Sequence, residues 1–181
     1  MRKLVIIQTV IPDYRKELFR AIETALNNSF ELYGGHFFFN RRLLFQTGIW
    51  HLLFKDIVLV MEMNPRILSN WIFLVIRRTI SRKTVLWGHA WPRNGVHSKS
   101  EILRNLMRLL ANKIIVYTNQ QQLELKSKMQ KKEILAAPNA VVSASMMAFS
   151  QSSNQFNLIY VGRLTKRKKP YFLVKAFAHE I

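Results

Sequence analysis

The chain contains no cysteine and only 10 acidic residues against 28 lysines and arginines in its 181 positions. Without cysteine there is no disulfide framework and no thiolate metal site, a composition suited to the cytosol. The acid deficit leaves a formal charge of +18. Such an excess favours anionic partners: nucleic acid, acidic lipid headgroups or phosphorylated small molecules. Long apolar runs are also missing. The strongest, "NWIFLVI" at 70–76, falls far short of the ~20 residues needed to span a bilayer. "MRKLVIIQTVIPDYRKELF" places two basic residues before an apolar run, as a signal peptide does. Gln8 and Thr9 interrupt that run, and Pro12-Asp13 follows without a small-residue cleavage site. It is read as a first buried strand. Neither G-x-x-x-x-G-K-[ST] nor G-x-G-x-x-G occurs, which excludes the common triphosphate and dinucleotide loops.

What is present is a globular composition, 49% hydrophobic, arranged as short β-rich runs alternating with helix-length segments. "LVIIQTV" (4–10), "FELYGG" (30–35), "DIVLVM" (56–61), "TVLWGH" (84–89), "KIIVYT" (113–118) and "EILAAP" (133–138) predict strands. Near-continuous apolarity is the pattern of parallel strands buried on both faces. The segments between them predict helices opening near Pro12-Asp13, Asn64-Pro65, Ser100-Glu101 and Asn119. Alternating βα units of this kind indicate an α/β, doubly wound, Rossmann-like parallel sheet. Residues 38–54 read equally as a short strand or an amphipathic helix. Residues 1–142 are expected to form one complete domain, 143–156 a small, polar linker, and 157–181 the first strand, loop and helix of a second domain.

Ligands in open α/β sheets gather beyond the carboxyl ends of the strands, and three such ends carry chemistry. After the first strand, Tyr14 and Arg15 sit at a helix start that could receive a phosphate; a solvated cap is the plain alternative. After "TVLW", Gly88 permits close backbone approach and His89 is delivered into a cleft. Trp87 and Trp91 read as core or cleft wall. The third end is "GRLTKRKK" from Gly162, a glycine and a burst of cations before a helix, suited to a diphosphate.

The run "YVGRLTKRKKPYFLVKAF" resembles the start of the C-terminal domain of group 1 (family 4) glycosyltransferases of the glycosyltransferase-B fold. "IPDYRKELFRAI", "VLWGHA" and "ANKIIVYTNQQQLELKSK…ILAAPNAV" resemble, in the same order, segments of that family's N-terminal domain. The resemblance implies retaining, metal-independent sugar transfer, without a cofactor, from a nucleoside-diphosphate-sugar to a saccharide or lipid-linked acceptor in surface polysaccharide synthesis. It implies that Arg163 and Lys168 hold the donor diphosphate, that His89 orients the donor sugar as the catalytic residue, and that Tyr14 and Arg15 face the acceptor. The family's Glu–seven residues–Glu motif is missing, since Glu23 and Glu31 share its spacing but lie on and after the first helix. On this reading the chain is truncated and inactive alone. Cytoplasmic placement at the inner face of an anionic membrane follows from the implied lipid-linked acceptor, with 41–54, including Arg41 and Arg42, and 77–83 as contacts. The alternative is a basic nucleic-acid-binding α/β domain without activity, against which stands the lack of RNP, zinc or helix-turn-helix patterns.

Overall fold

The computed structural model describes residues 2–138 apart from 28, 36, 39–42 and 94, together with 165 and 168–178. The chain divides into two compact units, Met1–Met146 and Met147–Ile181. In the first, six parallel strands form one sheet: β1 (Leu4–Gln8), β2 (Phe30–Gly34), β5 (Val58–Glu62), β6 (Thr84–Trp87), β7 (Lys113–Val116) and β8 (Glu133–Ala136). Their order is β2-β1-β5-β6-β7-β8. The chain therefore runs outward from β1 to one edge, then returns to build the other side. All six apolar runs of the sequence supply a strand; five end short of the run, while β5 starts two residues late and extends one residue past it, to Glu62.

The side chains of each strand alternate between two layers. Val5, Ile7, Leu59, Met61, Leu86, Ile114 and Val116 join one core with Phe73 and Leu74 of α2 (Leu68–Thr79), Met107 of α3 (Lys99–Leu110) and Leu125 of α4 (Asn119–Lys128). Ile6, Val60, Val85 and Trp87 join a second core with Phe19 of α1 (Lys16–Ala25). The sheet is thus covered on both faces, which is why its strands read as continuous apolar runs. The unit is an α/β, Rossmann-like, doubly wound domain, with a topological switch between β1 and β5.

Helix starts differ from the sequence expectation by a few residues. A 3-10 turn, Asp13–Arg15, precedes α1. Two residues separate Pro65 from the start of α2, where the Leu68 N–H donates to the Leu44 carbonyl in place of a side-chain cap. α3 begins at Lys99, one residue before the Ser100-Glu101 signal. Thr118, rather than Asn119, caps α4: its Oγ1 accepts from the Gln121 N–H at 3.1 Å.

The ambiguous 38–54 stretch resolves into a minimal antiparallel pair, β3 (Phe37–Phe38) with β4 (Phe45–Gln46), followed by a 3-10 turn at Trp50–Leu52. Ile49, Leu52 and Leu53 are buried in the main core. For Ile49, Leu52 and Leu53 this corrects the expectation that 41–54 offers its apolar side chains to a membrane, while Leu43 and Phe54 are exposed; Arg41 and Arg42 lie outside the described residues. The 77–83 expectation is corrected at Arg77, which is fully buried. It donates to the carbonyls of Leu52, Leu53, Lys55, Ile57 and Lys83 at 2.8–3.1 Å. Burial, followed by the nearby Arg82 charge, pushes its pKa down to about 10. Among the described residues no helix is long and apolar enough to cross a membrane.

The second unit is described through α5 (Pro170–Ala178) and the residues just before it. Lys168 lies in the turn that precedes the helix, where its N–H donates to the Thr165 carbonyl. The expected linker, the expected strand and Arg163 fall outside the described residues.

Candidate functional site

The carboxyl ends of β1, β5, β6 and β7 open into one cleft of about 770 Å³. Its floor is one rung of the sheet. Glu62 pairs in register with Trp87, while Gln8 follows Ile7, whose partner Met61 precedes Glu62. Alternation turns Gln8, Glu62 and Trp87 to the α1 side, where the apolar rows below them end. Gln8 Oε1 and Trp87 Nε1 are buried with no hydrogen-bond partner among the described residues, and both residues line the cleft. They are an acceptor and a donor left for a ligand or water.

Glu62 is held from the neighbouring strand end. Its Oε1 accepts from both the N–H and the Oγ1 of Thr9 at 2.8 Å, and Oε2 accepts from Oγ1 at 3.0 Å. Above this rung lies Arg15, buried although it comes from a one-turn 3-10 helix. Its guanidinium packs over the Trp87 and Tyr117 rings, with carbon-to-centroid distances of 4.8 and 5.5 Å. Nη2 donates to the Tyr117 hydroxyl at 2.9 Å. Aromatic faces stabilise a cation most where water is excluded, so this charge is fixed in place. Tyr14 is half exposed beside it, its ring 5.6 Å from the same guanidinium.

His89 follows β6 immediately after Gly88. A Cβ at Gly88 would stand 3.0 Å from the Met63 Cβ, so glycine permits β6 to leave the sheet this close to the β5 end. The loop is then tied down from both neighbouring helices. Arg104 of α3 donates to the His89 and Met63 carbonyls at 2.7 and 3.0 Å, and Arg108 donates to the Ala90 carbonyl at 2.9 Å. From α4, Gln121 accepts the Ala90 N–H and Glu124 accepts the Trp91 indole N–H. The imidazole packs edge-on against Tyr117, 4.7 Å between centroids. Desolvation in the cleft, then the charges of Arg104, Arg93 and Arg15, hold its pKa below the ordinary imidazole value. His89 is therefore neutral at pH 7. It can donate from one ring nitrogen and accept at the other.

Arg66 and Arg93 add to the cationic rim, and Glu62 is the only carboxylate among the described residues lining the cleft. The site can hold an anionic group against fixed guanidinium charge while neutral groups below it, and the single carboxylate, bond hydroxyls. A smaller hollow of about 390 Å³ between α1 and β2, lined by Phe19 and Glu23, lies away from the strand ends.

The fold brings Tyr14, Arg15 and His89 into one cleft. Lys168 belongs to the second unit. Sequence reasoning did not single out Gln8, Glu62, Arg104 or Tyr117. Glu62 and Tyr117 were within reach of the strand-end rule, being the polar residues that close the runs "DIVLVME" and "KIIVY". Arg104 carried no such signal, since it sits in the middle of a helix.

The fold and cleft define a Rossmann-like domain with a cationic cleft at its strand ends. No family model, curated protein or solved structure matches the chain.

Proposed function

We propose that this chain supplies the acceptor side of a retaining, metal-independent glycosyltransferase that uses a nucleoside-diphosphate-sugar. The observation that carries this reading is the convergence of Arg15 and His89 over one polar floor, on which Gln8 Oε1 and Trp87 Nε1 have no partner among the described residues. Arg15 neutralises a phosphate on the incoming acceptor or donor. His89, kept neutral first by desolvation and then by its cationic surroundings, bonds a sugar hydroxyl without adding a further charge. Glu62, Gln8 and Trp87 bond the remaining hydroxyls. Arg163 and Lys168 hold the donor diphosphate on the resemblance of their segment, and their charges stabilise the leaving group. The acceptor is a saccharide or lipid-linked saccharide, and no metal or cofactor enters the reaction.

Two of the four tryptophans line the cleft, so indole fluorescence reports its occupancy. Titration with sugar phosphates, nucleoside diphosphates and nucleotide-sugars is expected to give saturable quenching. The quench should weaken in His89→Ala and be lost in Arg15→Ala. Tight binding of single-stranded nucleic acid with no response to any sugar phosphate would overturn the proposal.

A further inference from the structure

Helix α3 is built inside out. Its sequence, KSEILRNLMRLL, alternates leucines with arginines, and Arg104 and Arg108 face inward beside Met107 while most of the leucines do not. Arg108 is 1% exposed and pairs with Glu101, while Arg104 reaches back to the carbonyls beside His89. These bonds pin the helix in rotation. Ile102, Leu103, Leu106 and Leu109 are consequently turned outward, with Ile102 74% exposed and the others about half exposed.

Helix α2 packs beside α3 and adds to the same surface. Its inner face fills the core through Phe73 and Leu74, yet its outer face is apolar too: Leu68, Ile72 and Val75 are all exposed. A helix apolar on both sides has a second apolar environment to meet.

The chemistry of the border identifies that environment. From Met63 to Ser100 the sequence holds Arg66, Arg77, Arg78, Arg82, Lys83, Arg93 and Lys99 but not one Asp or Glu. Apart from the buried Arg77, these cations reach the surface, and Arg66, Arg78, Lys83, Arg93 and Lys99 are exposed. Lys132 joins them at the far end, donating to the Leu109 and Ala111 carbonyls within range of the Arg78 charge. An apolar face bordered by cations matches the depth profile of an anionic bilayer, phosphate outside and hydrocarbon beneath. Two-fold self-association would instead set one cationic border against another: Arg82 is already paired with Asp56 of its own chain, and the stretch 63–100 offers no carboxylate of its own.

We propose that the α2–α3 face docks onto an anionic lipid bilayer, with Ile102, Leu106, Leu109, Ile72 and Val75 entering the acyl boundary and the bordering cations meeting the headgroups. Leu103 belongs both to this face and to the cleft wall. Docking therefore places the cleft mouth at headgroup level, where a lipid-linked acceptor would enter. That last step rests on the transferase reading; the docking does not.

Flotation with phosphatidylcholine–phosphatidylglycerol vesicles tests the docking. The protein is expected to float with these vesicles, to be released by added salt, and not to float with phosphatidylcholine alone. Leu106→Ser with Leu109→Ser should weaken partitioning about tenfold or more, because exposed leucines drive insertion, and Arg78→Glu with Lys99→Glu should do likewise. Leu123→Ser, an equally exposed leucine on α4, should change nothing. Circular dichroism checks that each variant is folded. Equal recovery with neutral vesicles, no flotation, or full binding by the Leu106/Leu109 variant would overturn the proposal. So would light scattering that shows a dimer dissociated by those two changes. The fluorescence titration, run without vesicles, reads the cleft separately, so failure of docking and failure of the transferase reading give different results.

Discussion

The guanidinium of Arg15 lies over the indole of Trp87, its central carbon 4.8 Å from the ring centroid. Arg15 precedes α1 and Trp87 ends β6, so this contact joins the two halves of the sheet across its switch point. A lysine keeps the charge but loses the flat stacking surface and the forked donor that reaches Tyr117. Arg15→Lys is expected to cost about 1 kcal/mol of stability, the scale of a partly desolvated cation–π contact. Urea unfolding followed by tryptophan fluorescence measures it. An unchanged midpoint would mean that the contact contributes nothing.

Arg77 holds together a loop that has little regular structure of its own. Five carbonyls from residues 52–57 and 83 converge on its guanidinium in the dry interior. Arg77→Ala leaves these acceptors unpaired around a cavity, and a loss of about 4 kcal/mol or more is expected. Arg77→Lys, with three donors for five acceptors, should recover only part of it. Thermal melts of both variants decide the order.

His89 supplies a pH signature. Its folded-state pKa lies below the ordinary value, first through desolvation and then through Arg104, Arg93 and Arg15. The unfolded chain therefore takes up this proton more readily than the folded one. The contribution to stability is complete above the unfolded value of about 6.5 and is lost as pH falls through the lower folded value. Proton NMR of the imidazole should show a midpoint below 6.5, moved upward by Arg93→Ala. A midpoint at or above 6.5 would contradict the cationic cleft.

The inverted helix makes an asymmetric forecast for stability. In an ordinary amphipathic helix, leucine truncation is costly and arginine truncation mild. In α3, Leu106→Ser should stay within about 0.5 kcal/mol of the parent, because the residue is already about half exposed on the outer face. Arg108→Ala should cost about 3 kcal/mol, since it leaves Glu101 as a largely buried charge without its partner and the Ala90 carbonyl without its donor. Chemical denaturation of the pair would show the opposite order if the leucines were the buried face.

The sheet was legible because burial on both faces leaves its mark along each strand. "LVII" and "IVLVM" need no partner to be recognised as interior strands, and their alternation with helix-length segments is enough to indicate a parallel, doubly wound order. The strand-end rule likewise pointed to Tyr14, Arg15 and His89 before any coordinates. It did not reveal that Gln8, Glu62 and Trp87 share a rung, because that depends on the registers of β1 with β5 and of β5 with β6.

The direction in which α3 faces was decided by tertiary structure alone. Its periodicity marks two faces, one mainly of leucine and one of Arg104, Met107 and Arg108, and hydrophobicity by itself would turn the leucine-rich face inward. The arginines are inside because the ends of β5 and β6 leave the carbonyls of Met63, His89 and Ala90 aimed at the helix. An arginine is stable in the interior only where such acceptors and a carboxylate meet it. Those acceptors come from loops distant in sequence, so local pattern could supply the strands and the helix but not the rotation that leaves a leucine surface facing outward.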